Sequence, residues 1–486
     1  MRQQGSGADD GLVTEIITGL NLSPLEILTL LSGLALIVAR WLPAVARPRV
    51  TVVAGAVFLL SALSLCVTGI RWQLLPVLAG AVAAAPFAFL PLVRSRARRL
   101  RWWLALPGSV ACVCLLLAGP VTAWAFPVPV FPAPTGEFAI GTRVVQWTDP
   151  DRPETFTADS QDRRTVVAQL WYPARNVPAD APRAQYLGRT EDEARTVAEA
   201  LAGGVGLPGF LFDGVPLART HAVPDAPVAG GRFPVVLFSP GSGGVRTQNT
   251  AWAEELASHG YLVAALDHPY DSAAVVLADG RTITTATVST GDPGEDDRLA
   301  DGWTAIRAAD LSFALTRLER LDRGDPLAGH LDTERVAVTG HSMGGAAAVQ
   351  AARRDHRFAA VIDLDGYPRG PLSPALGQPT LALTQAVTPA TDPRYLPRLT
   401  EVLAHGTVTN YQVTVPGAAH LTFTDGPLYL PPVASIVGSL GRAESPRMVA
   451  GASLAFLDSL LRKGSGDLRG QLSAYGEVRA FRPGNR

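Results

Sequence analysis

The segment Gly340-His341-Ser342-Met343-Gly344 sets a serine between two glycines in the pattern G-x-S-x-G. The pattern alone is unspecific, so its flanks decide what it means. Arg335 to Thr339 reads as a strand leading in, and Gly345 to Val349 opens a helix leading out. A strand–turn–helix with glycines at both sides of the turn is a nucleophile elbow, which holds Ser342 in a sharp, strained bend. A serine hydroxyl attacks a carbonyl only when a base removes its proton. Of the eight histidines, His420 is the best placed. It follows a strand and the tight Pro416-Gly417 turn, after the other core strands, in the chain order Ser…Asp/Glu…His. His341 adjoins the serine and is expected to point elsewhere. The acid that would orient His420 has two close rivals, Asp365 and Asp392, each beyond the end of a strand; Asp363 would share a face with Asp365 but lie deeper. Two backbone N–H groups are needed for the developing oxyanion. Met343 follows the nucleophile, and Ser242 lies in the glycine-rich run Ser239 to Gly244, where the backbone can approach closely. This is two-step acyl transfer through an acyl-enzyme, and it calls for no metal and no organic cofactor.

The elements that must carry these residues alternate. From Phe233 onward, short apolar strands (234–238, 261–266, 335–339, 359–364, 380–383, 411–415) are separated by helices near 249–258, 303–321, 343–353 and 446–461. In the long helix Ala308, Leu311, Leu315 and Leu318 recur at helical spacing. Such alternation predicts a largely parallel sheet with helices on both faces, the α/β-hydrolase fold, with its chemistry beyond the carboxyl ends of the strands. Thr142 to Trp147 and Thr165 to Tyr172 are expected to pair as an antiparallel hairpin at the sheet edge. The Pro-, Ala- and Gly-rich stretch 173–231 is expected to be surface loop and short helix bordering a substrate cleft.

The N-terminal quarter is of another kind. The chain has 47% hydrophobic and 17% charged residues, and the apolar excess sits before residue 127. Four apolar runs begin at Ser23, Val50, Trp72 and Trp102, and lengths near 20 residues suit a bilayer core of ~30 Å. The expected organisation is a polar tail over 1–22, a four-helix transmembrane anchor over 23–126, a Pro-rich linker over 127–135 and a catalytic domain over 136–486. Arg40, Arg47 and Arg49 lie between the first two runs, and Arg94, Arg96, Arg98, Arg99 and Arg101 lie between the last two. By the positive-inside rule both loops are cytoplasmic, which puts the catalytic domain on the extracytoplasmic side of a multi-pass cell membrane protein. A net charge of -1 without a basic face points away from nucleic acid. The three cysteines, Cys66, Cys112 and Cys114, all fall in apolar runs, so no disulfide framework is expected.

The stretch PVVLFSPGSGGVRTQNTAWAEELASHGYLVAALDH (234–268), Arg307 to Arg317, the GHSMGG elbow, RFAAVIDLDGYP (357–368) and GAAHLTF (417–423) together resemble the platelet-activating factor acetylhydrolases. The likeness runs from about residue 135 onward and touches none of the apolar runs. It implies Asp365 as the acid, since that family's acid follows the strand directly after the elbow helix. His420 falls on the family's histidine, and Ser242 and Met343 on its oxyanion donors. One departure stands out: Pro240 occupies the place where relatives carry a histidine before the loop glycine. The resemblance implies cleavage of short or oxidised acyl esters, of phospholipids among others. A general esterase, lipase or polyester hydrolase with the same triad is the first alternative. A catalytically inactive membrane sensor or scaffold is the second.

Overall fold

The computed structural model describes residues 21–93, 102–287, 289–388, 391–462, 464 and 466–483. The arginine cluster over 94–101 and nearly all of the expected 1–22 tail lie outside the described residues. The chain divides into two compact units, Met1–Val128 and Pro129–Arg486.

The first unit holds four apolar helices, α1 (Pro24–Ala39), α2 (Arg47–Thr68), α3 (Leu75–Val93) and α4 (Trp102–Ala125). Ser23 starts α1 through a capping box: its Oγ accepts from Glu26 N–H (3.3 Å), and Glu26 Oε2 accepts from Ser23 N–H (2.6 Å). Glu26 is not left as an isolated charge. Arg71, in the α2–α3 turn, donates to both of its carboxylate oxygens at 2.7 Å and also to Asn21 O. That fork holds the start of α1 and the α2–α3 turn at the same end of the bundle. Three segments, Arg47–Thr68, Trp72–Leu92 and Ala105–Ala125, are long and apolar enough to cross a membrane. α1 has 16 residues, a length of about 24 Å at 1.5 Å per residue, and falls short of that criterion.

The second unit is built on one ten-stranded sheet. In chain order its elements are β1 (Ala139–Pro153), β2 (Arg163–Ala174), α5 (Glu191–Gly204), β3 (Val223–Pro224), β4 (Phe233–Ser239), α6 (Thr250–Ser258) and β5 (Leu262–Asp267). A two-stranded ribbon, β6 (Ala274–Val276) and β7 (Thr282–Thr284), precedes the long helix α7 (Pro293–Glu319). Then follow β8 (Leu331–His341), α8 (Met343–Arg354), β9 (Phe358–Leu364), β10 (Thr380–Gln385), α9 (Tyr395–His405) and β11 (Asn410–Val415). The chain closes with α10 (Gly426–Tyr429), α11 (Ala434–Val437), α12 (Glu444–Leu461), α13 (Leu468–Leu472) and β12 (Glu477–Phe481). The sheet order is β12-β11-β10-β9-β8-β4-β5-β2-β1-β3. The six strands β11, β10, β9, β8, β4 and β5 are mutually parallel, while β2 runs antiparallel to β5, and β12 to β11.

The central strands are buried on both faces, and so read as continuous apolar runs. One face carries a core around Trp252, Phe423, Phe456 and Leu457, under α6 and α12. The other is filled by Leu311, Leu315 and Leu318 of α7 and the alanines of α8. β1 and β2 form the expected edge hairpin, extended beyond the anticipated residues at both ends. α7 begins about ten residues before the expected start. Asp292 caps it by accepting from Glu295 N–H (2.9 Å), with Pro293 in its first turn. The architecture is the α/β-hydrolase one, with the parallel strands ending on the side where the glycine loop, the elbow and the histidine turn converge.

Candidate active site

Ser342 stands between β8 and α8 with φ 56° and ψ −121°, a conformation that costs a non-glycine residue energy. The surroundings over-determine it. Its N–H donates to Leu364 O of β9 (2.9 Å), and the turn nests against the end of β4. A methyl group on Gly344 would come within 2.0 Å of Ser239 O, and one on Gly340 within 2.3 Å of Gly344 C. Those two glycines are what allow the elbow and the β4 loop to share the space.

Asp365 leaves β9 with a φ of 54°, and its N–H donates to Leu383 O (2.8 Å), so two parallel strands aim its side chain. The carboxylate is buried and fully engaged. Oδ1 accepts from Gln385 N–H and Tyr395 Oη–H, both at 2.9 Å. Oδ2 accepts from Gln385 Nε2 (2.9 Å) and lies 2.6 Å from His420 Nδ1. Burial, then the charges of Asp365 and Asp363, push the Tyr395 phenol well above its usual range, so it stays a donor. His420 opens a short 3₁₀ turn after β11, with Gly417 of the preceding turn at φ 73°. Its side chain is 43% exposed, which leaves the ring accessible from the cavity.

The other candidates separate cleanly. Asp392 is exposed and forked to Arg394, and no contact joins it to His420. Asp363 lies deeper, as expected; it accepts from Gly366 N–H (2.8 Å), and burial pushes its carboxyl well above the usual range. His341 does not turn away from the site as expected. Its ring lies 4.6 Å from that of His420, and its Nε2 lies 3.0 Å from His420 O. Sequence reasoning also missed Tyr395 and Gln385. Tyr395 opens a helix whose Leu399, Val402 and Leu403 recur at helical spacing, which was a readable signal for the helix though not for the tyrosine's role.

Ser342, Met343, Asp365, His420 and Ser242 line one cavity of about 350 Å³. Its far wall is charged: Arg394 pairs with Asp297 (2.8 Å) and Asp392 (2.9 Å), and Arg369 lies over the Tyr367 ring. On the other side of Ser242 a second, more apolar cavity of about 200 Å³ is lined by Tyr186, Leu201, Val205, Phe212, Tyr429 and Leu430, among others. Its wall comes partly from the 173–231 insertion, through α5 and the turn at Phe212. Among the described residues no group of three or more His, Cys, Asp or Glu side chains could hold a metal ion.

The glycine loop is fixed from behind. Arg307 of α7 is fully buried and donates to Gly241 O (3.0 Å) and to Pro240 O. Asp271 balances it at 2.7 Å. Burial works against the Asp271 charge, but the guanidinium outweighs it and holds the carboxyl below its usual range. Pro240, whose nitrogen has no hydrogen to donate, thus contributes its carbonyl.

The sequence profile of the family "Platelet-activating factor acetylhydrolase, isoform II" matches residues 125–290 and 304–468, more than half of the chain. The chain belongs to this family. Individual relatives are consistent with that. A "Probable 1-alkyl-2-acetylglycerophosphocholine esterase" from Arthroderma benhamiae is 26% identical over 403 residues, covering 75% of this chain and 97% of that one. The "Platelet-activating factor acetylhydrolase" of Bos taurus is 31% identical over 161 residues, covering 28% of this chain and 36% of its own. Among solved structures, a ferulic acid esterase from Streptomyces cinnamoneus is similar with a TM-score of 0.57 and 31% identity, over 72% of this chain and 99% of that one. This acetylhydrolase-family chain is a carboxylic ester hydrolase.

Proposed function

We propose that the enzyme cleaves short-acyl esters, phospholipid-like ones among them, through an acyl-enzyme on Ser342. His420 takes the Ser342 proton as the oxygen attacks the ester carbonyl, and Asp365 holds the imidazole with Nδ1 protonated and steadies the imidazolium. The oxyanion is received by the N–H groups of Ser242 and Met343. His420 returns the proton to the departing alcohol, then activates water to release the acid. The observation that carries this reading is the 2.6 Å contact between His420 and a buried, fully satisfied Asp365, in the same cavity as a serine held on a strained elbow.

Leaving-group protonation requires the alcohol to lie on the His420 side, in the charged cavity. The acyl group then extends past Ser242 toward the apolar cavity. Its volume favours short chains, and its three aromatic rings (Tyr186, Phe212, Tyr429) suit an aromatic acyl group, as the ferulic acid esterase likeness also suggests. A panel of acetyl, butyryl, octanoyl, palmitoyl and feruloyl esters, with a 2-acetyl and a 2-palmitoyl phosphocholine, tests this. Short and feruloyl esters are expected to be cleaved with kcat/KM falling steeply toward palmitoyl. Preference for palmitoyl would overturn the acyl assignment, and inertness toward the 2-acetyl phosphocholine would favour a simple esterase.

We further propose that the four apolar helices anchor the catalytic unit on the extracytoplasmic side. The Glu26–Arg71 fork supports an antiparallel α1 and α2, and Arg40, Arg47 and Arg49 fit a cytoplasmic turn between them. Protease added to intact cells should then remove the catalytic unit; protection until the membrane is permeabilised would reverse the orientation.

A further inference from the structure

Three loops must be in register when the ester is attacked: the glycine loop with Ser242, the elbow with Ser342 and the turn with His420. A chain of hydrogen bonds joins all three. Gly241 N–H donates to Gln248 Oε1 (3.1 Å), Gln248 Nε2 lies 3.0 Å from His341 Nδ1, and His341 Nε2 lies 3.0 Å from the backbone oxygen of His420. Only one assignment of donors satisfies every member. The His420 carbonyl can only accept, so His341 carries its proton on Nε2. Its Nδ1 is then a lone pair and must receive an N–H from the Gln248 amide, which leaves Oε1 free to accept from Gly241. The ring is buried, and burial together with the nearby His420 charge holds its pKa well below that of an ordinary histidine. A protonated His341 would turn an N–H against the Gln248 amide nitrogen. It would also set a cation 4.6 Å from the ring that has to become positive during attack.

The same contacts aim the oxyanion donor. In a trans peptide the C=O and N–H point in opposite directions. Arg307 draws Gly241 O inward (3.0 Å), so the Ser242 N–H of the same peptide unit is turned outward, away from the guanidinium. Gln248 fixes the preceding N–H, and the neighbouring peptides are held from both sides. A methyl on Gly241 would stand 3.0 Å from His341 Nδ1, so the loop and the elbow are in close contact here.

We propose that Gln248 and His341 are positioning residues that lock the oxyanion loop to the His420 turn through the elbow. The inference rests on the reading of Ser342, His420 and the Ser242 N–H given above. Neither side chain touches the reacting atoms. Their effect is on how well the proton acceptor and the oxyanion donors are aligned at once.

The test uses the full chain in detergent, with p-nitrophenyl acetate turnover and fluorophosphonate titration of Ser342. Gln248→Ala and His341→Ala are each expected to lower kcat per titrated site about 10- to 100-fold, as small misplacements of catalytic groups do. KM should stay within about threefold, since only alignment in the transition state is lost. The double variant should be no slower than about threefold below the worse single, because the two act as one unit. His341→Gln, which keeps an N–H near the Nε2 position, should recover part of the His341→Ala loss and serves in its place if the alanine variant does not fold. A merely structural role would lower the titrated fraction and leave kcat per site intact. Singles within twofold of wild type, or a double variant equal to the product of the singles, would overturn the proposal. Wild-type protein that fails to label at Ser342 would instead strike the catalytic reading itself.

Discussion

Ser342→Ala is expected to lower kcat about 10⁶-fold, on the scale of nucleophile removal in other serine hydrolases, and to abolish fluorophosphonate labelling. Other hydroxyls line the cavity, but none stands on an elbow: Ser242 lies on the opposite, glycine-rich loop, and Tyr395 donates to Asp365. The fold should tolerate the change. The strain at φ 56° is imposed by Gly340, Gly344 and the β4 loop, and alanine carries it at no greater cost than serine. Loss of a strained polar nucleophile commonly leaves stability unchanged or slightly raised. A melting temperature within a few degrees of wild type, with activity and labelling gone, is therefore the expected pair of results. Residual labelling of the alanine variant would show that another residue is the nucleophile.

What could be read from the chain follows the range of the interactions. The elbow was legible because β8, the turn and α8 are contiguous, and the glycines that permit it flank the serine directly. His420 was legible by chain order, since it follows the last parallel strand. The proposed acid is not legible from residue mechanics alone: Asp365 and Asp392 both follow strands, and only three-dimensional pairing distinguishes a buried carboxylate beside His420 from an exposed one beside Arg394. The groups that complete Asp365 come from β10 and α9, and no local pattern announces that Gln385 and Tyr395 converge on it. β12 is hidden in the sequence for a similar reason. Its five residues alternate weakly, and their place comes from antiparallel pairing with β11. For His341, adjacency to Ser342 implies divergence from the site, whereas its ring turns to the His420 backbone. In the apolar quarter the boundaries of α1 were readable from the Ser23 capping box. Its shortfall as a membrane crossing is a matter of length, set by that cap and by the Trp41-Leu42-Pro43 break.

The proposed acid, Asp365, is expected to give the second large effect, and the donor pattern around it explains the size. Asp365 accepts at Oδ1 from Gln385 N–H and Tyr395 Oη–H, and at Oδ2 from Gln385 Nε2 and His420. In Asp365→Asn the amide oxygen keeps the two Oδ1 donors, so the new NH₂ takes the place of Oδ2, loses the bond from Gln385 Nε2 and faces His420 Nδ1. That nitrogen must then be the unprotonated one, which moves the imidazole proton to Nε2, where the serine proton should be received. The expected loss in kcat is on the order of 10⁴, the cost of holding the wrong tautomer. Asp392→Asn, at an exposed side chain paired to Arg394, should change kcat by less than about threefold, in keeping with the small worth of surface ion pairs. Asp363→Asn should be similarly mild, for a different reason. Burial pushes the Asp363 carboxyl well above its unfolded value, which favours the neutral acid in the fold, and an amide is a neutral stand-in for that form. A raised carboxyl pKa contributes stability at low pH that is lost as pH climbs through the folded value. The melting temperature of wild type should therefore fall relative to Asp363→Asn as pH rises above the ordinary carboxylate range, with activity near wild type throughout. If Asp392→Asn or Asp363→Asn were inactive while Asp365→Asn turned over normally, the acid would have to be reassigned despite the 2.6 Å contact.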